Sequence, residues 1–354
     1  MLRHSILMLF TASILFSCNT SNEKQEQNKE EKQEITVYTH RHYDSDKLIF
    51  EKFEKETGIK VNVVKASADE LIQKLESEGK QSPADVLITV DAGRLVRAKN
   101  KGLLQSIDSK VLGSTIPNYL KDAENQWFGL TKRARLIAYS KERVKPEELS
   151  TYEALTDAQW ENKILIRSSS NIYNQSLLAS IIANDGEEEA KTWAKGMVKN
   201  FARVPKGNDR DQVKAILAGE GDLAIVNTYY IGKLLNSKDS NEVNAANSVG
   251  LFFPNQADRG THVNISGIGV AKNSPNKEGA VKFIEYLISK EVQEIFATAN
   301  YEYPVNPSAN SSDLLESWGD FKEDHLSLTQ LGELNKAAVI TFDEVAWDKG
   351  TNAQ

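Results

Sequence analysis

Cysteine is nearly missing from this chain. Cys18 is the only one among 354 residues, which excludes an intramolecular disulfide and any multi-cysteine metal site. The usual catalytic signatures are missing too: there is no G-x-S-x-G elbow, no H-E-x-x-H, no Walker A sequence, and no pair of carboxylates at a spacing that assigns acid and base roles. Basic residues are not in excess, since 43 Lys and Arg face 50 Asp and Glu for a formal charge of −7. That excludes the positive footprint with which proteins neutralise nucleic-acid phosphates. Beyond the amino terminus no apolar run is long enough to span a bilayer, and no period of roughly 20 to 50 residues marks a repeat array. What is present is 40% apolar and 26% charged residues, enough chain and core for two ordinary domains.

The amino terminus, "MLRHSILMLFTASILFSC", has one arginine, a short apolar core and a small residue before Cys18. It reads as a secretory signal over residues 1–17. "LFSC" resembles the lipobox of bacterial lipoproteins, which makes Cys18 the expected lipid attachment site. The polar run "NTSNEKQEQNKEEKQE" has too few apolar residues to fold, so residues 18–34 are expected to be a flexible tether. Together these segments imply an extracytoplasmic body, in the periplasm or at the cell surface, held to a bacterial membrane by its lipid.

From Ile35 short apolar strands alternate with amphipathic helices. "ITVYTH", "IKVNVVKAS" and "PADVLITVD" read as strands. The first helix carries a stripe of Leu48, Ile49, Phe50 and Phe53 and closes at Gly58; a second closes at Gly79, and Asp91 is placed to cap a third. A second series begins near "FGLTKRARLIAYS". "SGIGVAKN" is expected to be a tight strand turn, and "NKEGAVKFIEYLISKEVQEIFATAN" a single long helix. The β then α alternation argues for two α/β units, each with a mainly parallel sheet covered by helices on both faces.

Ligands of open α/β sheets bind at the carboxyl ends of strands, and the residues expected there are distinctive. "ITVYTHRHYDSD" delivers His40, His42 and Tyr43, "RSSSNIYNQS" delivers Tyr173, and "DLAIVNTYY" delivers the adjacent Tyr229 and Tyr230. Neighbouring side chains of a strand face opposite ways, so two consecutive tyrosines cannot both enter one core from a regular strand. Phenols ionise near pH ~10, and only a strongly charged metal holds them as anions at neutral pH. Iron(III) fits as a hard trivalent ion, whereas calcium calls for carboxylates and carbonyls, and zinc for cysteine, histidine and carboxylate. Taken singly, each tyrosine reads equally well as a half-buried surface residue. An aromatic cage for an organic cation is the competing arrangement.

"RHYDSD", "PADVLITVDAGRL", "GLTKRARLIAYS", "NTYY" and "YEYPVNP", in this order, resemble the iron(III)-binding proteins that serve bacterial ABC importers, the Fut/Fbp type. The resemblance runs from about Ile35 to the end. It implies a two-lobed fold of the type II periplasmic-binding-protein kind, with iron(III) between the lobes and delivery to permease and ATPase subunits by a monomer. Lobe one would hold residues 35–132 and 258–307, lobe two residues 133–257 and 308–354. The metal set it implies is Tyr43, Tyr173, Tyr229 and Tyr230 with His42, whose coordination is left open; carbonate or another anion completes the shell in some branches. Four phenolates around a trivalent ion leave one negative charge, which Arg133, Arg41, Arg135 or Lys233 would offset. Lys233 stands where related proteins often carry arginine. The alternatives are a binding protein for another small ligand, an organic cation or oxyanion, and, from a different class, a secreted α/β hydrolase.

Overall fold

The computed structural model describes residues 34–41 and 43–353. The signal, most of the tether, Cys18 and His42 therefore lie outside the described residues. The first α/β unit runs β1 (Glu34–Thr39), α1 (Asp44–Thr57), β2 (Lys60–Lys65), α2 (Ala68–Glu78), β3 (Val86–Val90), α3 (Ala92–Asn100) and α4 (Lys110–Thr115). Its helix ends follow local chemistry. Gly58 takes a left-handed φ of 73° after α1, Ser67 and Glu70 form a capping box at the start of α2, and the Asp91 carboxylate caps α3 at the Gly93 N–H. Ile49, Phe50 and Phe53 of α1 are buried as expected, but Leu48 is 67% exposed. At 100° per residue it falls on the far side from Ile49 and Phe53.

β4 (Phe128–Ser140) then leads to β5 (Ile164–Leu165), α5 (Ile172–Asp185), α6 (Glu187–Asn200), α7 (Asp209–Leu217), β6 (Leu223–Asn227), α8 (Thr228–Leu235), α9 (Ser240–Ser248) and β7 (Val249–Phe252). The chain returns through β8 (Val263–Val270), α10 (Lys277–Leu287), α11 (Lys290–Asn300) and β9 (Tyr303–Pro304), and ends in α12 (Asp313–Glu316), α13 (Thr329–Glu333) and α14 (Asn335–Glu344). The strand order is β2-β1-β3-β8-β4-β6-β5, with β7 and β9 also paired to β4.

β4 joins the two halves of this layout. Up to Ala134 it pairs with β8, and from Arg135 onward it pairs with β6, so the chain changes sheets at that step. Its side chains alternate between layers: Leu136 and Ala138 pack with Ile216, Ile231 and Leu234, whereas Ile137 faces the larger core. The fold is the expected two-lobed α/β arrangement, but each sheet is mixed rather than mainly parallel. β1–β2, β1–β3 and β5–β6 are parallel, as strand–helix–strand units require, while the crossing strands β4 and β8 run against their neighbours.

Two local expectations are corrected. "SGIGVAKN" is strand interior rather than a turn, because Gly267 and Gly269 lie within β8. A Cβ at Gly267 would meet Leu95 Cδ1 at 2.4 Å, so the residue is small to let α3 approach the sheet. The long helical pattern is broken into α10 and α11, with Ser289 in extended backbone starting the second. In the tail, α14 packs on α5 and α6, while α13 lies against both α3 and α5.

Candidate metal centre

Each tyrosine stands at the start of a helix that follows a strand. Tyr43 is the residue before α1, with extended backbone. Tyr173 lies in the first turn of α5, its N–H donating to the Asn171 side chain at 3.1 Å. β6 stops at Asn227, so Tyr229 and Tyr230 occupy the first turn of α8. Consecutive helical side chains diverge by ~100° rather than 180°. The two rings therefore share one side, their centroids 4.3 Å apart and their planes tilted by 33°. The Tyr229 hydroxyl donates to that of Tyr173 at 3.1 Å. Lys233, one turn along α8, places its Nζ 4.0 Å from the Tyr43 ring centroid and 5.2 Å from that of Tyr229. That contact links the start of α1 to α8. Three helix amino termini, with their partial positive charge, thus converge on four phenols.

Cations ring this group, each tied to a buried carboxylate except Lys233. Arg41 forms a fork on Asp46 with two contacts of 3.1 Å, reaches Glu302 at 3.1 Å, and faces the Tyr43 ring at 4.6 Å. Arg133 reaches Asp91 at 3.5 Å. Arg135 and Arg167 share Asp209, each at 3.2 Å. All three of these arginines face Tyr173, 5.3, 5.8 and 5.4 Å from its ring centroid for Arg133, Arg135 and Arg167. Buried donors remain among them without partners in the structure, including Arg133 Nε and Nη1 and the Nε atoms of Arg135 and Arg167.

The electrostatics hold Tyr43, Tyr229 and Tyr230 protonated when no metal is present. Part of Tyr43 and of Tyr230 still meets solvent, yet burial is the largest influence on both and raises their pKa values above the ordinary phenol range. Glu302 pushes Tyr43 further up, and Tyr173 does the same for Tyr230. Tyr229 is raised by burial and then by Tyr173, Tyr230 and Tyr43, the mutual repulsion expected of groups sharing one site. Burial pushes Lys233 down to about 8. It also works against the charge on Arg41, but Asp46 and Glu302 more than offset it, so Arg41 stays a cation.

Tyr43, Tyr173, Tyr229 and Tyr230 are thus brought together, with Arg41, Arg133, Arg135 and Lys233 around them. Sequence reading missed Arg167, Asp209, Asp46 and Glu302. Arg167 and Glu302 had a usable signal: a charged residue closes the apolar strand of "KILIR" and another sits between the tyrosines of "YEYP". Asp209 had none, since it opens an ordinary-looking helix. Among the described residues no group of three or more His, Cys, Asp or Glu is placed to hold a metal. Phenols are therefore the concentrated donor set.

The profile of one protein family, bacterial extracellular solute-binding protein, matches residues 49–323. The chain belongs to that family. Among the curated relatives of this solute-binding protein is iron uptake protein A1 of Synechocystis, 52% identical over 317 residues that cover 90% of this chain and 88% of the relative. A solved structure of the Trichodesmium protein IdiA (FutA), in complex with iron and citrate, is similar at a TM-score of 0.87 and 52% identity, covering 89% of this chain and 99% of that one. The ferric binding protein of Campylobacter jejuni aligns with a TM-score of 0.84 at 47% identity, covering 88% and 99% of the two chains.

Proposed function

We propose that this solute-binding protein captures iron(III) between its two lobes through the phenolates of Tyr43, Tyr173, Tyr229 and Tyr230, and delivers it to an ABC permease and its ATPase without catalytic turnover. The observation that carries the reading is the meeting of four phenols from three separate helix starts, with the hydroxyls of Tyr229 and Tyr173 at 3.1 Å. Relatives and structural neighbours named for iron uptake or ferric binding support it. His42 follows Arg41 and precedes Tyr43 in sequence, and as a neutral imidazole it is a further donor for the same ion. Carbonate or another small anion is the kind of co-ligand that any open coordination position would take.

Charge balance favours a trivalent cargo. Arg41, Arg133, Arg135, Arg167 and Lys233 supply five positive charges against the four carboxylates of Asp46, Glu302, Asp91 and Asp209. The one charge left over offsets the single negative charge of iron(III) with four phenolates, so the loaded centre is neutral and burial costs it little. An organic cation fits poorly, because Lys233 already faces Tyr43 and Tyr229 and three arginines face Tyr173. In this reading residues 35–132 and 258–307 form one lobe and 133–257 and 308–354 the other. The sheet change of β4 after Ala134 and the crossing between β7 and β8 support that division. A lipid on Cys18 and a tether to residue 34 would keep the monomer at the membrane that holds its permease.

Colour tests the reading. Phenolate-to-iron(III) charge transfer should turn the protein orange to red on addition of iron(III) citrate, and Tyr229→Phe and Tyr230→Phe should weaken the band. A colourless wild-type protein that takes up no iron would refute the proposal, and retention of an oxyanion in its place would favour the anion-binding alternative.

A further inference from the structure

Asp91 does more than cap a helix. It follows β3, is fully buried, and has φ 86° and ψ 125°, a conformation that non-glycine residues keep only where their surroundings over-determine it. One carboxylate oxygen accepts from the Gly93 N–H at 3.0 Å, which is the cap itself, and also from the Ser176 hydroxyl at 2.8 Å. The other accepts from Asn264 at 2.9 Å and faces Arg133 Nη2 at 3.5 Å. The Asp91 N–H donates to the Ile265 carbonyl at 2.8 Å, and Asn264 Oδ1 accepts from the Ala92 N–H at 3.0 Å. A cap requires only the first of these contacts.

The additional contacts lead to Tyr173. Ser176 is buried on α5 three residues beyond Tyr173, on the same helix face. Arg133 is the guanidinium 5.3 Å from the Tyr173 ring centroid. Asp91 belongs to the β1–β3 side of the molecule, whereas α5 follows β5 on the β6 side. Its carboxylate therefore grips, from the first lobe, both the start of the helix that carries Tyr173 and the cation over its ring.

We infer that Asp91 is a positioning residue for the metal centre: through Ser176, which follows the turn carrying Tyr173, it fixes the start of α5, and through Arg133 the charge at Tyr173, so that this phenol meets the cleft in one place. The inference rests on the iron(III) reading above. Loss of a buried hydrogen bond to a carboxylate should speed iron release roughly tenfold.

The test uses the full chain loaded with iron(III), with release read as transfer to excess EDTA. Ser176→Ala removes the bond and leaves every phenol in place. Ser180→Ala is the control, because Ser180 is equally buried on α5 but its hydroxyl donates only to the Leu177 carbonyl of its own helix. Ser176→Ala should release iron about tenfold faster than wild type, with a charge-transfer band moved toward that of Tyr173→Phe. Ser180→Ala should keep the wild-type rate and band, whatever either change does to the melting temperature. Wild-type rate and band in Ser176→Ala, or equal acceleration in both variants, would overturn the positioning role while leaving iron binding intact. A wild-type protein that forms no coloured complex would overturn both.

Discussion

In the proposed centre each phenol would serve as a ligand only after giving up its proton. Burial raises Tyr43, Tyr229 and Tyr230 above the ordinary phenol range, so at neutral pH these groups are protonated without metal and must lose a proton to bind it. The sign follows directly: apparent affinity rises with pH by about tenfold per unit for each phenol ionised. Competition against a chelator of known protonation, between pH 6 and 8, should show at least the protons of Tyr43, Tyr229 and Tyr230 released, and a release near zero would mean that these phenols are not ligands. Lys233 sets the charge. Over ~5 Å at an effective dielectric of ~20 one charge is worth about 3 kcal/mol before screening, so Lys233→Met should weaken iron(III) at least tenfold in the same competition. The tyrosines were legible in the sequence because two adjacent phenols at a strand end make no sense in a core. Asp209, which joins Arg135 to Arg167, was not, because its role exists only where three distant segments meet.

Helix starts aim the phenols, and α8 is the element on which this depends most. Ile231 and Leu234 anchor it in the core of the second sheet, leaving Tyr229 and Tyr230 on its first turn. Leu234→Ala should cost about 2–5 kcal/mol of stability in denaturant unfolding, and iron affinity should fall further than in a core substitution of similar cost far from α8. Gly232 seats the ring of Tyr301, and a Cβ there would meet Tyr301 Cγ at 2.4 Å. Tyr301 itself holds a φ of 60° just before Glu302, the carboxylate on Arg41. Gly232→Ala should therefore push the Tyr301 segment off α8 and expand the protein in small-angle scattering. Periodicity made most elements visible, since caps and apolar spacing are local. It failed at two places: Ser289, in non-helical backbone, splits one helical pattern into α10 and α11, and Gly267 lies within β8, where α3 approaches it.

At the scale of the whole molecule, two sheets share one long strand, and a buried histidine lies just before the return crossing. His262 is buried, and burial followed by the fields of Arg135, Arg133 and Arg259 pushes it down to about 3. Its folded pKa lies below the unfolded value of ~6.5, so the unfolded chain binds the extra proton between those limits. The stability from this group is complete above pH ~6.5 and lost as pH falls toward 3, with a slope of up to about 1.4 kcal/mol per unit. Denaturation of the metal-free protein across pH 4 to 7 should show that slope, reduced in His262→Gln; equal slopes would remove His262 as the cause. The alternation of strands and helices announced two α/β units, but not the antiparallel run of β4 and β8, because pairing partners so distant in sequence leave no local pattern. Anomalous diffraction at the iron edge, from crystals of the iron(III)-loaded protein, tests the ligand set most directly. A single peak bonded to the hydroxyl oxygens of Tyr43, Tyr173, Tyr229 and Tyr230 is the expected result; an iron bound elsewhere, or held without these phenols, would contradict it.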